Sequence, residues 1–195
     1  MSEFWIWFST GVEHILDLNG YDHILFVTLL VFSYSFNKWA KLLLLISAFT
    51  IGHSISLALA VTNQITLPVT LVEFSIGFSI LITAVYHLLN FKKTEDKNSV
   101  FLIFVVSFFG LIHGLGFSYL LKSMLGREES VFYPLLYFNL GLEVGQLIIV
   151  SIVLLFSIIM AFVFKCPFKL YKYTLVSVIG IIALIITSKR FLDFF

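Results

Sequence analysis

The segment AKLLLLISAFTIGHSISLALAVT, residues 40–62, decides the fold class of this chain. Lys41 is its only Lys, Arg, Asp or Glu residue, and the segment exceeds the ~20 residues that a helix needs to cross about 30 Å of hydrocarbon. Further apolar runs of comparable length lie at roughly residues 20–36, 66–90, 100–122, 132–164 and 171–192. The sequence therefore predicts an all-α, polytopic membrane protein with about six transmembrane helices.

The composition agrees with a membrane protein. Hydrophobic residues make up 60% of the chain and charged residues 12%, whereas soluble domains average about 45–50% apolar and about 25% charged residues. A net charge of +1 without a basic tract argues against a nucleic-acid partner. Cys166 is the only cysteine, which excludes a thiolate metal cluster within one chain. No linker divides the chain, so we predict a single integral-membrane domain, residues 1–195, surrounded by the lipid bilayer.

Basic residues divide unevenly between the two sets of predicted loops. Eight lie on the side reached after the first, third and fifth spans, and four lie on the other side. The positive-inside rule places the richer side in the cytoplasm and both termini outside. The richer side carries Lys38, Lys41, Lys92, Lys93, Lys97, Lys165, Lys169 and Lys172, and the other carries Lys122, Arg127, Lys189 and Arg190.

An aromatic group, FWIWF at residues 4–8, precedes the first span. Aromatic side chains favour the membrane interface, so we expect a short interfacial helix over about residues 4–18. Thr10 and Glu13 have the spacing of a capping box, and Asn19-Gly20 is typical of a helix end. Glu13 is therefore either a helix cap or a polar group near a site.

Each of the first five predicted spans contains ionisable residues. A charged side chain near the centre of a membrane helix costs about 3 kcal/mol, so these residues are candidates for function. A rise of ~1.5 Å per residue places all of them in one layer of the outer half of the membrane, within ~16 Å of the outer span ends. A shared layer favours a joint polar site over scattered hydrogen-bonded residues. The candidates are Asp22, His23, His53, Glu73, His113 and Glu143.

Imidazole and carboxylate groups together suit nickel, cobalt, zinc or iron, so we predict that these six residues bind a divalent transition-metal ion. Supporting polar residues are expected at His14, Glu13, Asp17, Asn139, Gln146 and Ser54. Asn139, Glu143 and Gln146 share one helix face. Two alternatives stay open: the polar residues could join helices by hydrogen bonds, and Gly114 and Gly116 beside His113 could serve packing alone. We expect His87, near Lys92 and Lys93, at the membrane interface.

Five segments together resemble the HupE/UreJ-type membrane proteins, especially their second subfamily. They are GVEHIL (11–16), GYDHILF (20–26), FTIGHSISL (49–57), IHGLGF (112–117) and FNLGLEVGQ (138–146). The resemblance implies a six-helix protein of the bacterial inner membrane, associated with nickel or cobalt uptake. Other HupE-like permeases have a His-Pro pair near the first segment and a second histidine in a longer glycine-rich segment. Here Ile15 follows His14, and IHGLGF has one histidine.

We therefore expect a membrane permease or binding protein for a divalent transition-metal ion, with nickel or cobalt as the cargo. A zinc-dependent intramembrane hydrolase is the runner-up, because three protein ligands and a metal-bound water would use the same residue types. An accessory subunit of a membrane complex is the third hypothesis. A homo-oligomer or a partner within such a complex stays open.

Overall fold

A computed structural model describes residues 2–34, 38–90, 99–126 and 130–193. Lys92, Lys93, Lys97 and Arg127, used in the orientation argument, lie outside the described residues. Throughout the described ranges the regular structure is helical. The helices are α1 (Glu3–Leu16), α2 (Asp22–Val31), α3 (Trp39–Val61), α4 (Val69–Leu89), α5 (Ser99–Leu125), α6 (Phe132–Phe162) and α7 (Phe168–Leu192).

Five of these helices, α3 to α7, are long and apolar enough to cross a membrane. Many large apolar side chains on their outer faces are exposed, among them Phe104, Ile152 and Phe162, as expected for surfaces that contact lipid. The all-α, multi-pass fold class predicted from the sequence is confirmed. The segment predicted as the first span contains α2, which has 10 residues and rises only about 15 Å.

Helices α3 and α5 pack closely, and glycines bring their backbones together. Gly52 lies against the carbonyl of Ser107, and Gly114 lies against the carbonyl of His53. Residue numbers rise in the same direction along both helices at these contacts, so the pair is parallel. Small residues allow this approach because a Cβ atom at either glycine would overlap the partner backbone.

A second parallel pair is α1 with α6. Gly141 lies against the carbonyl of Phe8, and one turn further along both helices Gly145 lies near the carbonyl of Val12. Gly141 lies within the long fifth apolar run, and α6 is continuous through it from Phe132 to Phe162. The glycine serves the contact with α1, which occupies the segment predicted as an interfacial helix.

Side chains of α7 contact the short helix α2 near both of its ends. Arg190, near the end of α7, contacts Asp22 at the start of α2. The ammonium group of Lys172, near the start of α7, donates a hydrogen bond to the carbonyl of Phe32, just after α2, at 2.6 Å. Thus α2 runs antiparallel to α7. Ser157 of α6 contacts Tyr171 of α7 across the short connection between them, so α7 also runs antiparallel to α6.

It follows that α1 and α2 run in the same direction as α6, one after the other. Residues 17–21 separate them without helical structure, and the Asp17 carboxylate accepts a hydrogen bond from the Asn19 backbone N–H at 2.8 Å. The expected capping box is absent because α1 begins at Glu3. Thr10 therefore lies inside the helix, and its hydroxyl donates to the Ile6 carbonyl.

Candidate metal centre

Three histidines from different helices converge next to the interruption between α1 and α2. His14 lies in the last turn of α1, His23 in the first turn of α2, and His53 in the middle of α3. Each offers a ring nitrogen, and these atoms lie within 4.8 Å of one another. Among the described residues, this is the one group of three or more His, Cys, Asp or Glu side chains that meets this spacing.

A fourth histidine, His113 of α5, lies beside the group. Its ring centre is 5.1 Å from that of His23. Its Nε2 atom is 3.1 Å from the Ser79 hydroxyl on α4, which orients the ring. We call His14, His23, His53 and His113 the histidine cluster.

The ring nitrogens of the histidine cluster are short of partners. Five buried nitrogens have no hydrogen bond within the described structure: Nε2 of His14, Nε2 of His23, both nitrogens of His53 and Nδ1 of His113. Leaving one buried polar group unpaired costs about 1–3 kcal/mol, so five in one place call for a bound group. Neutral imidazole is a common ligand for zinc, nickel and cobalt. The donor set therefore fits a borderline transition-metal ion.

Phenyl rings cover the histidine cluster on one side. The ring centres of His14 and Phe117 are 3.9 Å apart, and Phe117 stacks on Phe138 at 5.2 Å. Phe117 lies one turn beyond His113, towards the end of α5. We call Phe117 and Phe138 the outer aromatic layer, since the orientation predicted from the basic residues places that end of α5 outside.

A second group of phenyl rings covers the opposite side. Phe49 lies one turn before His53 on α3, and its ring centre is 5.2 Å from that of His113. The Phe26 ring lies 5.3 Å from His113 and 5.1 Å from Phe49. Phe26 and Phe49, both buried, form the inner aromatic layer. The histidine cluster is thus enclosed between two apolar layers, which limit the contact of a bound ligand with water.

The predicted acidic ligands do not enter the three-histidine group. Asp22 forms an ion pair with Arg190. The Glu73 side chain is exposed, and its backbone carbonyl accepts a hydrogen bond from Arg190. The Glu143 side chain is half-buried on α6, and its carboxylate makes no hydrogen bond within the described residues. The structure therefore brings together the histidines among the candidates and places the three carboxylates around or away from them.

The supporting residues predicted from the sequence differ in burial and in hydrogen bonding. Gln146 accepts a hydrogen bond from Thr50 of α3 at 2.8 Å, and Ser54 donates to the Thr50 backbone carbonyl. The Thr50–Gln146 bond matches the alternative in which polar side chains join helices, whereas the Ser54 bond lies within α3. Asn139 has a buried side-chain oxygen without a partner in the described structure. Glu13 and Asp17 are exposed.

Sequence reasoning underestimated His14 and missed Arg190. His14 was assigned a supporting role because an interfacial helix was expected to remain outside the bundle. The signal for a deeper position was Gly11, since a glycine three residues before a histidine allows a close helix contact on that face. Arg190 was counted as a loop charge because it follows Lys189 near the end of the last apolar run.

The sequence model of the family described as HupE / UreJ protein matches residues 1–192. The chain belongs to the HupE/UreJ family. The match includes the whole histidine cluster and all seven helices. No curated protein matches this HupE/UreJ chain, and no solved structure matches it.

Proposed function

We propose that this HupE/UreJ protein is a membrane permease or binding protein for a divalent transition-metal ion, and that the histidine cluster binds the ion. The observation that carries the proposal is the set of five unpartnered buried ring nitrogens. Membership of the family favours nickel or cobalt as the cargo, because the family is associated with their uptake. Zinc fits the same donors.

The histidines act as neutral ligands in this proposal. His14, His23 and His53 supply three nitrogens, and His113 is close enough to supply a fourth after a small movement. A dication held only by neutral imidazoles keeps its full charge in an apolar interior, which is unfavourable unless an anion is near. Asp22, next to His23 in the sequence, is one candidate for charge balance and Glu143 on α6 is a second, whereas the Glu73 side chain is exposed on α4.

The two aromatic layers support transport with alternating access. An ion that reaches the histidine cluster must pass Phe117 and Phe138, and an ion that leaves on the other side must pass Phe26 and Phe49. Each layer would open in turn by a movement of the helices that carry it. We further propose a bacterial inner-membrane location with both termini in the periplasm, because the basic residues favour that orientation.

A hydrolytic zinc site is the competing function, since three histidine ligands with an open fourth position are typical of it. Such a site also needs a general base within reach of the metal-bound water. The three-histidine group contains no carboxylate among the described residues. The geometry therefore favours binding and transport.

The proposal is tested by metal binding and flux with the full-length protein. We expect purified protein in detergent to bind about one Ni²⁺, Co²⁺ or Zn²⁺ per chain. It should not bind Mg²⁺ or Ca²⁺, because hard cations prefer oxygen ligands. Equilibrium dialysis with elemental analysis measures this. Proteoliposomes loaded with a metal-sensitive dye then separate a permease from a binding protein. No binding above that of empty detergent micelles would refute the site.

A further inference from the structure

Arg190 connects the last helix to the start of α2. Its guanidinium group donates two hydrogen bonds to the Asp22 carboxylate, at 2.7 and 3.2 Å. A third hydrogen bond, at 3.2 Å, goes to the backbone carbonyl of Glu73 on α4. The side chains of Arg190 and Asp22 are only 21% and 13% exposed. One side chain thus joins α2, α4 and α7.

The Arg190–Asp22 contact restricts the relative orientation of the two side chains as well as the distance between them. A guanidinium group matches a carboxylate with two parallel hydrogen bonds, which restricts the rotation of both groups. Asp22 also lies in the first turn of α2, where a negative charge stabilises the helix dipole. Low exposure makes this pair stronger than an ion pair in open water.

Asp22 is directly followed by His23, and the start of α2 needs external support. Residues 17–21 are not helical, so α1 does not hold α2 in a continuous helix. With ten residues, α2 also has fewer internal hydrogen bonds than the long helices. The Arg190–Asp22 pair is the ion pair that anchors its first turn, immediately beside the histidine cluster.

We propose that Arg190 is a positioning residue for the metal site. Through Asp22 it holds the first turn of α2 so that the His23 ring faces those of His14, His53 and His113. In this arrangement Asp22 acts by holding His23 in place, and its carboxylate is engaged by Arg190. The effect on metal affinity rests on the proposed function, whereas the effect on the position of His23 does not.

The first experiment measures metal affinity in full-length variants by competition with a chromophoric chelator. Groups that orient metal ligands typically contribute about 10- to 100-fold in affinity, and we expect a loss in this range for Arg190→Gln. The metal affinity of Arg190→Lys should lie between that of the parent and that of Arg190→Gln, because an ammonium group keeps the charge and loses the paired hydrogen bonds. Lys189→Gln is the matched control and should bind as the parent does.

A double variant shows whether Arg190 acts through Asp22. If it does, Asp22→Asn with Arg190→Gln should bind metal no more weakly than the weaker single variant. Independent, multiplying losses would overturn the proposed route, as would parental affinity in Arg190→Gln.

The second experiment requires no metal. In a Cys166→Ser background, the thiols of His23→Cys and His113→Cys should be joined by a short bifunctional thiol reagent, since the two native rings are 5.1 Å apart. Adding Arg190→Gln should lower the yield several-fold, whereas adding Lys189→Gln should not. Equal yields would overturn the positioning role.

The two experiments separate the two proposals. If the parent binds no metal but the cross-linking yield depends on Arg190, the proposed function fails and the positioning role stands. If the parent binds metal and neither affinity nor yield depends on Arg190, the positioning role fails and the proposed function stands.

Discussion

The protein buries histidines in two different environments, and His53 and His87 represent them. His53 is fully buried, and neither of its ring nitrogens has a hydrogen-bond partner in the described structure. His87, near the end of α4, is 6% exposed. Its Nε2 atom lies 3.5 Å from the Ser33 hydroxyl.

The difference shows that burial alone does not mark a functional histidine. His87 is satisfied by its neighbours and joins α4 to α2, so the fold accounts for it. The nitrogens of the histidine cluster are close to one another and to phenyl rings, so the fold alone leaves them unsatisfied. Four predictions test this contrast.

The largest effect is expected from His53→Ala. Because this change removes one of three converging ligands, we expect metal affinity to fall by more than the ~10–100-fold typical of groups that only support a ligand. Elemental analysis after washing with a chelator measures the metal retained per chain. Retention equal to that of the parent would show that the unpartnered nitrogens do not bind a metal.

Gly114→Ala should disturb the histidine cluster without changing a histidine. The added Cβ would overlap the His53 carbonyl and the Ser56 hydroxyl, so α3 must move away from α5, at a cost of about 1–3 kcal/mol. We expect a lower melting temperature and weaker metal binding. Gly180→Ala is the control, because its Cβ would make an ordinary 3.4 Å contact with Ala84. Equal behaviour of the two variants would show that the α3–α5 distance does not matter to the site.

Glu143→Gln should have a smaller effect. The change keeps the shape of the side chain and removes its charge, so the fold should be retained. If the carboxylate balances the charge of the ion or relays protons, metal retention or flux should fall. Glu13→Gln is the control, because it makes the same change at an exposed glutamate on α1. Gln146 is left unchanged because it accepts a hydrogen bond from Thr50. Normal binding and flux in Glu143→Gln would assign the residue to helix packing.

His87→Ala should leave metal binding unchanged. It removes the partner of the Ser33 hydroxyl, so we expect a loss of about 1–3 kcal/mol in stability. Thermal unfolding and metal retention measured on the same sample separate the two effects. A loss of metal comparable to that in His53→Ala would remove the distinction between the two environments.

The fold class could be predicted from the sequence because a long apolar segment with few charges satisfies its backbone hydrogen bonds in a bilayer by forming a helix. The length of α2 was harder to predict, since the apolar run continues past Val31 although the helix ends there. Likewise, His87 was expected at the interface from its distance to Lys92 and Lys93. Its contact with Ser33 depends on where α2 ends.

The candidate site was predicted by depth, and depth along a helix says nothing about the direction of a side chain around it. His23, His53 and His113 share both depth and direction. Glu73 shares the depth but points outward, and Asp22 meets Arg190, which comes from the far end of the sequence. Contacts between distant segments of this kind cannot be derived from helix periodicity.

The pairing of α1 with α6 has a consequence for how the protein is made. Gly11 reaches its place against the Phe138 carbonyl only after the ribosome has produced most of the chain. Until then the first helix has no partner for its buried face, formed by Trp7, Gly11 and Ile15. His14 is therefore held in place only after α6 has been made, and His23 only after Arg190 of α7, so α3 and α5 are inserted before the histidine cluster is complete.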